Sequence, residues 1–165
     1  MGEPAKASLV LAVRLRGTVG DSPDVEKTLE SLALVRTFQA RLLKNTPSNA
    51  GMLRKAKNLV AWGEIDPATL GALLAKRAEG EQRSIVLDEE FVKNRFGRET
   101  FGDLAESIIA GDISLEDLWH AGLKPKFRLH PPRGGFKRST RRAFTDGGEL
   151  GYRGPNINSL ALRMI

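Results

Sequence analysis

The sequence predicts an α+β fold, with a β-α-β-α-β core over residues 1–65, short helices over 66–122 and a loop-rich basic extension over 123–165 that ends in a short helix. Three observations carry the prediction. Through the first segment the apolar residues change from strand spacing to helix spacing and back, twice. A capping residue stands directly before proline at Ser22-Pro23 and Asp66-Pro67, the start signal of a helix. Beyond 123, Gly134, Gly135, Gly147, Gly148, Gly151 and Gly154 leave no uninterrupted stretch for a helix before Ile157. An apolar content of 41% over 165 residues supplies one core of ordinary size with appendages.

Ser8 to Arg16 reads as a strand, continuously apolar at first and ending Val13, Arg14, Leu15, Arg16, an alternation that sends both arginines to one face. After a turn over 17–22, Val25, Leu29, Leu32 and Ala33 repeat at helical spacing behind the Ser22 cap. From Val35 to Lys44 the period returns to that of a strand, with Phe38, Ala40 and Leu42 on one face and Gln39 and Arg41 on the other. Asn45 to Asn49 is dense in turn and cap residues. Met52, Ala56, Leu59 and Val60 then mark a second helix, with Arg54, Lys55 and Lys57 off its apolar stripe. Trp62 to Ile65 is a short third strand. The two helices are expected to cover one sheet face and to leave the other free for contacts. In the second segment Leu70, Leu73 and Leu74 turn inward behind Asp66, and helices start near Asp88 and Ser114. Ser114 has Asp117 in capping-box position and Gly122 as the stop.

The net charge of +6 is unevenly divided: +5 over residues 1–62, −7 over 63–122 and +8 over 123–165. Two basic ends around an acidic middle predict polyanion-facing surfaces separated by one turned to solvent or to a basic partner. The chain has no cysteine, which excludes a disulfide framework, a thiolate zinc site and a cysteine nucleophile. Its only histidines are His120 and His130, too few for acid-base catalysis or metal binding, so neither a catalytic site, a metal nor a cofactor is expected. Asp88, Glu89 and Glu90 at a helix start complement the helix dipole. Gly134 and Gly135 lie in neither a dinucleotide nor a Walker pattern. Trp62 and Trp119 are expected in the core or in helix packing. The apolar run Leu9 to Val13 is soon broken by Arg14 and Arg16, so no signal peptide or membrane span is expected, and a soluble intracellular protein follows.

The most informative stretch is Lys124 to Arg142, KPKFRLHPPRGGFKRSTRR, which sets a crowd of Lys and Arg around a Pro-Pro turn and a Gly-Gly pair. Too few of its residues are apolar for it to bury itself, and its charges repel one another until a polyanion cancels them. Arg138, Arg141 and Arg142 cluster closely. Phe127, His130 and Phe136 offer flat faces to unpaired bases, although the two Phe equally suit anchoring of the extension on the domain. Arg54, Lys55 and Lys57 equally suit an ordinary solvated helix face; combined with Arg14, Arg16 and Arg41 they would extend the same footprint. The segment 124–156 is expected to be mobile until it meets its partner.

The strings TLESLALVR (Thr28 to Arg36), TPSNAGMLRKAKNLVAWGEI (Thr46 to Ile65), FRLHPPRGGFK (Phe127 to Lys137) and GGELGYRGPNIN (Gly147 to Asn158) together resemble the archaeal and eukaryotic long form of ribosomal protein L-thirty, called L-seven in eukaryotes. The resemblance spans nearly the whole chain. It implies a three-stranded antiparallel sheet with two helices, followed by the extension of the long form, and no enzymatic activity. It also implies a structural component of the large ribosomal subunit in the cytoplasm, bound to large-subunit rRNA and beside neighbouring ribosomal proteins, with no membrane and no obligate homo-oligomer. Carried over residue by residue, it marks Arg54, Lys55, Arg128, His130, Arg133, Lys137, Tyr152 and Arg153 as RNA-proximal. The chain departs from the family pattern where an Asn is expected near Phe38, a small residue near Arg138 and a proline near Ala143; the first bears on core packing, the others on the backbone path through 137–144. A non-ribosomal RNA- or DNA-binding protein is the alternative that composition leaves open.

Overall fold

A computed structural model describes residues 9–80 and 87–165. Ser8, where the first strand was expected to start, lies outside them. The fold is α+β, with a mixed six-stranded sheet and several helices packed on both of its faces. The first elements are β1 (Leu9–Arg14), α1 (Pro23–Ser31), β2 (Gln39–Lys44), α2 (Pro47–Lys55) and β3 (Val60–Glu64). Both helices begin at a side-chain cap followed by proline: Ser22 accepts from the Val25 amide and Thr46 from the Asn49 amide. β1 lies between β2 and β3 and is antiparallel to both.

The second strand starts at Gln39, four residues later than its alternation predicts. Phe38 has φ +67°, a left-handed conformation that breaks the extended run and that Asn tolerates better than Phe. Its ring stacks on Phe136 at 6.5 Å, a contact that offsets part of the backbone cost. Gln39 closes the turn by accepting from the Val35 and Arg36 amides through Oε1.

α3 (Pro67–Arg77) starts at the Asp66 cap. It is followed by β4 (Glu79–Gly80), α4 (Glu89–Phe96), α5 (Phe101–Ala110) and α6 (Leu115–His120), which has the reciprocal Ser114/Asp117 capping box. α5 is a helix beyond those the sequence patterns mark, although Thr100 caps its start and Gly111 ends it in the left-handed conformation. β5 (Leu123–Lys124) pairs with β4. None of the described helices is long and apolar enough to cross a membrane.

The expected three-stranded sheet is corrected by the C-terminal segment, which adds three strands. β6 (Lys126–Arg128) runs antiparallel along β2, β8 (Gly148–Tyr152) runs parallel to β3, and β7 (Ser139–Ala143) flanks β8 through an irregular pairing. The spatial order is β6-β2-β1-β3-β8-β7. The chain closes with α7 (Ile157–Met164). Unpaired amides and carbonyls on the outer sides of β2 and β3 are thereby satisfied from within the molecule.

The second sheet face is not open either. Val10 and Ala12 meet Leu29, Leu32, Leu53 and Leu59 of the α1/α2 side. Leu9, Leu11 and Val13 meet Leu70, Leu73, Leu74, Leu104, Ile108, Leu160 and Met164 of α3, α5 and α7. Central strands covered on both sides favour continuous apolar runs over alternation, and LVLAV is one. The segment 124–156 is tied down internally as well: the amides of Leu129, His130 and Arg133 donate to the carbonyls of Phe38, Met164 and Arg163 at 3.0, 2.9 and 2.9 Å. Phe127 is buried. With Phe136 on Phe38, both rings serve as anchors.

Candidate nucleic-acid interface

The basic run that is continuous in sequence is divided in space. Lys126 and Arg128 stand on β6 at one edge of the sheet, while Arg141 and Arg142 stand on β7 at the opposite edge, with four strands between. Arg133 and Lys137 lie on the strap that joins them. That strap leaves β6 at Phe38, immediately before the start of β2, and bonds to the last turn of α7. The Arg163 guanidinium reinforces it by donating to the Gly135 carbonyl at 3.0 Å. Arg128, His130, Arg133, Lys137, Arg138, Arg141 and Arg142 are all exposed. β7 shows almost uninterrupted exposure, and edge cations of this kind also discourage strand addition by another chain.

A second basic patch sits at the end of α2. Arg54 is exposed, with Nε donating to the Ala50 carbonyl at 3.3 Å, and Lys57 is exposed in the turn into β3. Lys55 pairs with Asp24 at the start of α1 and, chiefly by hydrogen bonding, holds that carboxyl below the usual carboxylate range. Both partners are solvated, so the pair contributes little to stability. Arg16 is half-buried where β1 ends, and its amide points at the Leu59 carbonyl just before β3.

Two of the expected contact arginines face inward. Arg14 is 6% exposed, and its guanidinium donates to the carbonyls of Arg16, Leu34 and Val35, closing the loop after α1 onto β1. Burial lowers its pKa, yet an arginine stays charged, so the three carbonyls are its solvation. Alternation along β1 puts Arg14 on the face of Val10 and Ala12, which α1 and α2 cover, so its side chain is enclosed. Arg153 is also 6% exposed, ion-paired with buried Glu149 at 3.4 Å and set over the Phe144 ring at 4.8 Å. Arg138 covers the same ring at 5.0 Å. Burial lowers the Arg153 pKa and Glu149 acts against it.

Tyr152 presents half of its surface to solvent while its hydroxyl donates to Glu64 Oε1 and its ring leans on Trp62 at 6.3 Å. The ring is therefore held in place while about half of the residue stays exposed. The Glu64 hydrogen bond, aided by burial, pushes the phenol up to about 12. Tyr152 is the sole tyrosine, which makes this directly testable by absorbance. Its phenolate is expected to form with a midpoint near 12 in the native protein, and nearer 10 in E64Q. A wild-type midpoint near 10 would break the assigned contact.

Trp62 is buried as expected, whereas Trp119 on α6 is 51% exposed, which excludes the core from the two places expected for it, core or helix packing. Among the described residues no three His, Asp or Glu side chains converge to hold a metal ion. What remains is a set of outward cations with one held, half-exposed aromatic ring at Tyr152, a chemistry suited to phosphate and to unstacked bases.

Residues 10–60, from β1 to the first residue of β3, match the family Ribosomal protein L30p/L7e. The chain is 45% identical to the large ribosomal subunit protein uL30 of Ignicoccus hospitalis over 160 residues, covering 95% of this chain and 98% of the relative. It is 47% identical to the protein of the same name from Thermofilum pendens, covering 96% and 99%. It is 41% identical to that of Nanoarchaeum equitans, again covering 96% and 99%.

Proposed function

The chain belongs to the Ribosomal protein L30p/L7e family, and from that premise we propose that it is a structural constituent of the large ribosomal subunit, where it binds and stabilises large-subunit rRNA. The near-complete coverage by relatives named as large-subunit proteins carries the reading, since the similarity includes the C-terminal segment with most of the exposed cations. No bond is made or broken. The protein acts by cancelling phosphate charge where RNA strands crowd together and by releasing their counterions.

In this reading the β-α-β-α-β unit of residues 1–65 is the platform, with Arg16, Arg54, Lys55 and Lys57 turned to the RNA. The segment 123–165 grips with Arg128, His130, Arg133, Lys137, Arg138, Arg141 and Arg142, and Tyr152 offers its exposed part. Arg14 and Arg153 act from inside, by holding the loops that carry those groups. The acidic helices of 66–122 face neighbouring ribosomal proteins or solvent. The assembly is cytoplasmic and involves no obligate homo-oligomer.

Tagged protein is expected to sediment with the large subunit and to shift to slow fractions after ribonuclease digestion. Slow sedimentation regardless of ribonuclease would remove the ribosomal assignment.

A further inference from the structure

A groove of about 360 Å³ lies between α6, β2 and the loop before β6, on the flank of the sheet away from β7. Arg41 and Trp119 line it together with Lys44, Glu116 and Lys126. Its electrostatics are unbalanced. Arg41 on β2 is directly opposite Lys126 on the antiparallel β6, so two cations are cross-strand neighbours on one face. Like charges in that position cost stability unless something compensates them. Among the described residues neither has a carboxylate in ion-pair range, and the acid on the groove wall, Glu116, is already engaged by Lys44 at 3.2 Å. Arg41 is half-buried, and burial lowers its pKa, so its charge is also poorly solvated by water. Beside this cation pair Trp119 exposes half of its surface.

An anion and a flat π-face are thus wanted within one small cleft, which is the chemistry of a single nucleotide. We propose that the groove receives one unpaired nucleotide of the bound RNA, its base stacked on Trp119 and its phosphate held between Arg41 and Lys126. An acidic peptide would satisfy the charges but leave the indole without a planar partner. A base-paired nucleotide would satisfy the charges but keep its face inside its own stack. The inference rests on the RNA-binding reading and adds a site to it, at the sheet edge opposite Arg141 and Arg142.

The test uses the full-length protein, titrated first with deproteinised large-subunit rRNA and then with a short single-stranded RNA oligonucleotide. Trp119 emission is expected to be quenched by both, with no quenching in W119F, whose remaining indole is buried Trp62. W119A is expected to bind the oligonucleotide about tenfold more weakly, with W119F recovering most of that loss through its ring. R41Q/K126Q is expected to weaken oligonucleotide binding by a similar factor and to abolish the quenching. Binding of rRNA with unchanged Trp119 emission, or equal affinity of W119A, overturns the nucleotide site while leaving the RNA-binding reading intact. Absence of rRNA binding by the wild-type chain overturns both. Shielding of Trp119 in assembled subunits that survives ribonuclease marks a protein occupant and also overturns the proposal.

Discussion

G63A is expected to lower stability by about 3–5 kcal/mol and to release the C-terminal segment from β3, as the sum of overpacking and several lost hydrogen bonds. A β-carbon at position 63 would lie 1.9 Å from the Gly154 carbonyl oxygen and 2.9 Å from its carbon, so one backbone must move. Gly154 cannot yield alone. The Arg153 amide donates to the Trp62 carbonyl at 2.9 Å, Tyr152 donates to Glu64, and Asn158 accepts from the Asp66 amide at 2.9 Å while donating to the Glu64 carbonyl at 3.1 Å. These bonds clasp the β3 end on one side and the entry to α7 on the other. Gly154 itself holds φ +56°, so a side chain there would be strained for a separate reason. Denaturant unfolding monitors the loss, and the Tyr152 phenol should fall back toward 10 in the same variant as its Glu64 contact opens. An unchanged unfolding midpoint would mean that the two backbones are not in contact in solution.

R133A/K137A/R141A is expected to bind rRNA on the order of ten- to a hundred-fold more weakly at moderate salt and to reduce the log-log salt slope by about two to three. All three side chains are exposed, and truncating them leaves the buried pairs at Arg14 and Arg153 intact. The unfolding free energy should stay within about 0.5 kcal/mol of wild type. Because Arg133 lies on the strap and Arg141 on the far edge strand, the single variants report on separate surfaces and their effects should add. A triple variant with the wild-type salt slope would mean that these cations face solvent in the assembled particle.

Much of the local structure was legible because its causes are local. Ser22, Asp66, Asp88 and Ser114 cap helices in the structure through bonds to amides three residues ahead, an interaction written entirely in neighbouring residues. The turn at Phe38 was less legible. Alternation of Phe38, Ala40 and Leu42 fits a longer strand, and the left-handed Phe38 is stabilised by Phe136, almost a hundred residues away in sequence. The strands β7 and β8 were hidden by their glycines and charges. Gly148 is required because a β-carbon there would lie 1.9 Å from the Arg142 carbonyl oxygen, and Glu149 is tolerated in a buried strand because Arg153 neutralises it.

The sequence by itself determined most of the helix starts, the family to which the chain belongs and the excess of cations at its two ends, since these depend on residue identity and short-range spacing. Only the tertiary structure decided which cations reach solvent. Arg14 is enclosed and bonded to carbonyls, Arg153 is enclosed and ion-paired with Glu149, Arg41 and Lys126 are forced side by side, and one basic run is parted between opposite sheet edges. Strand pairing joins residues far apart in the chain, and the charge environment of each arginine is set by those distant neighbours.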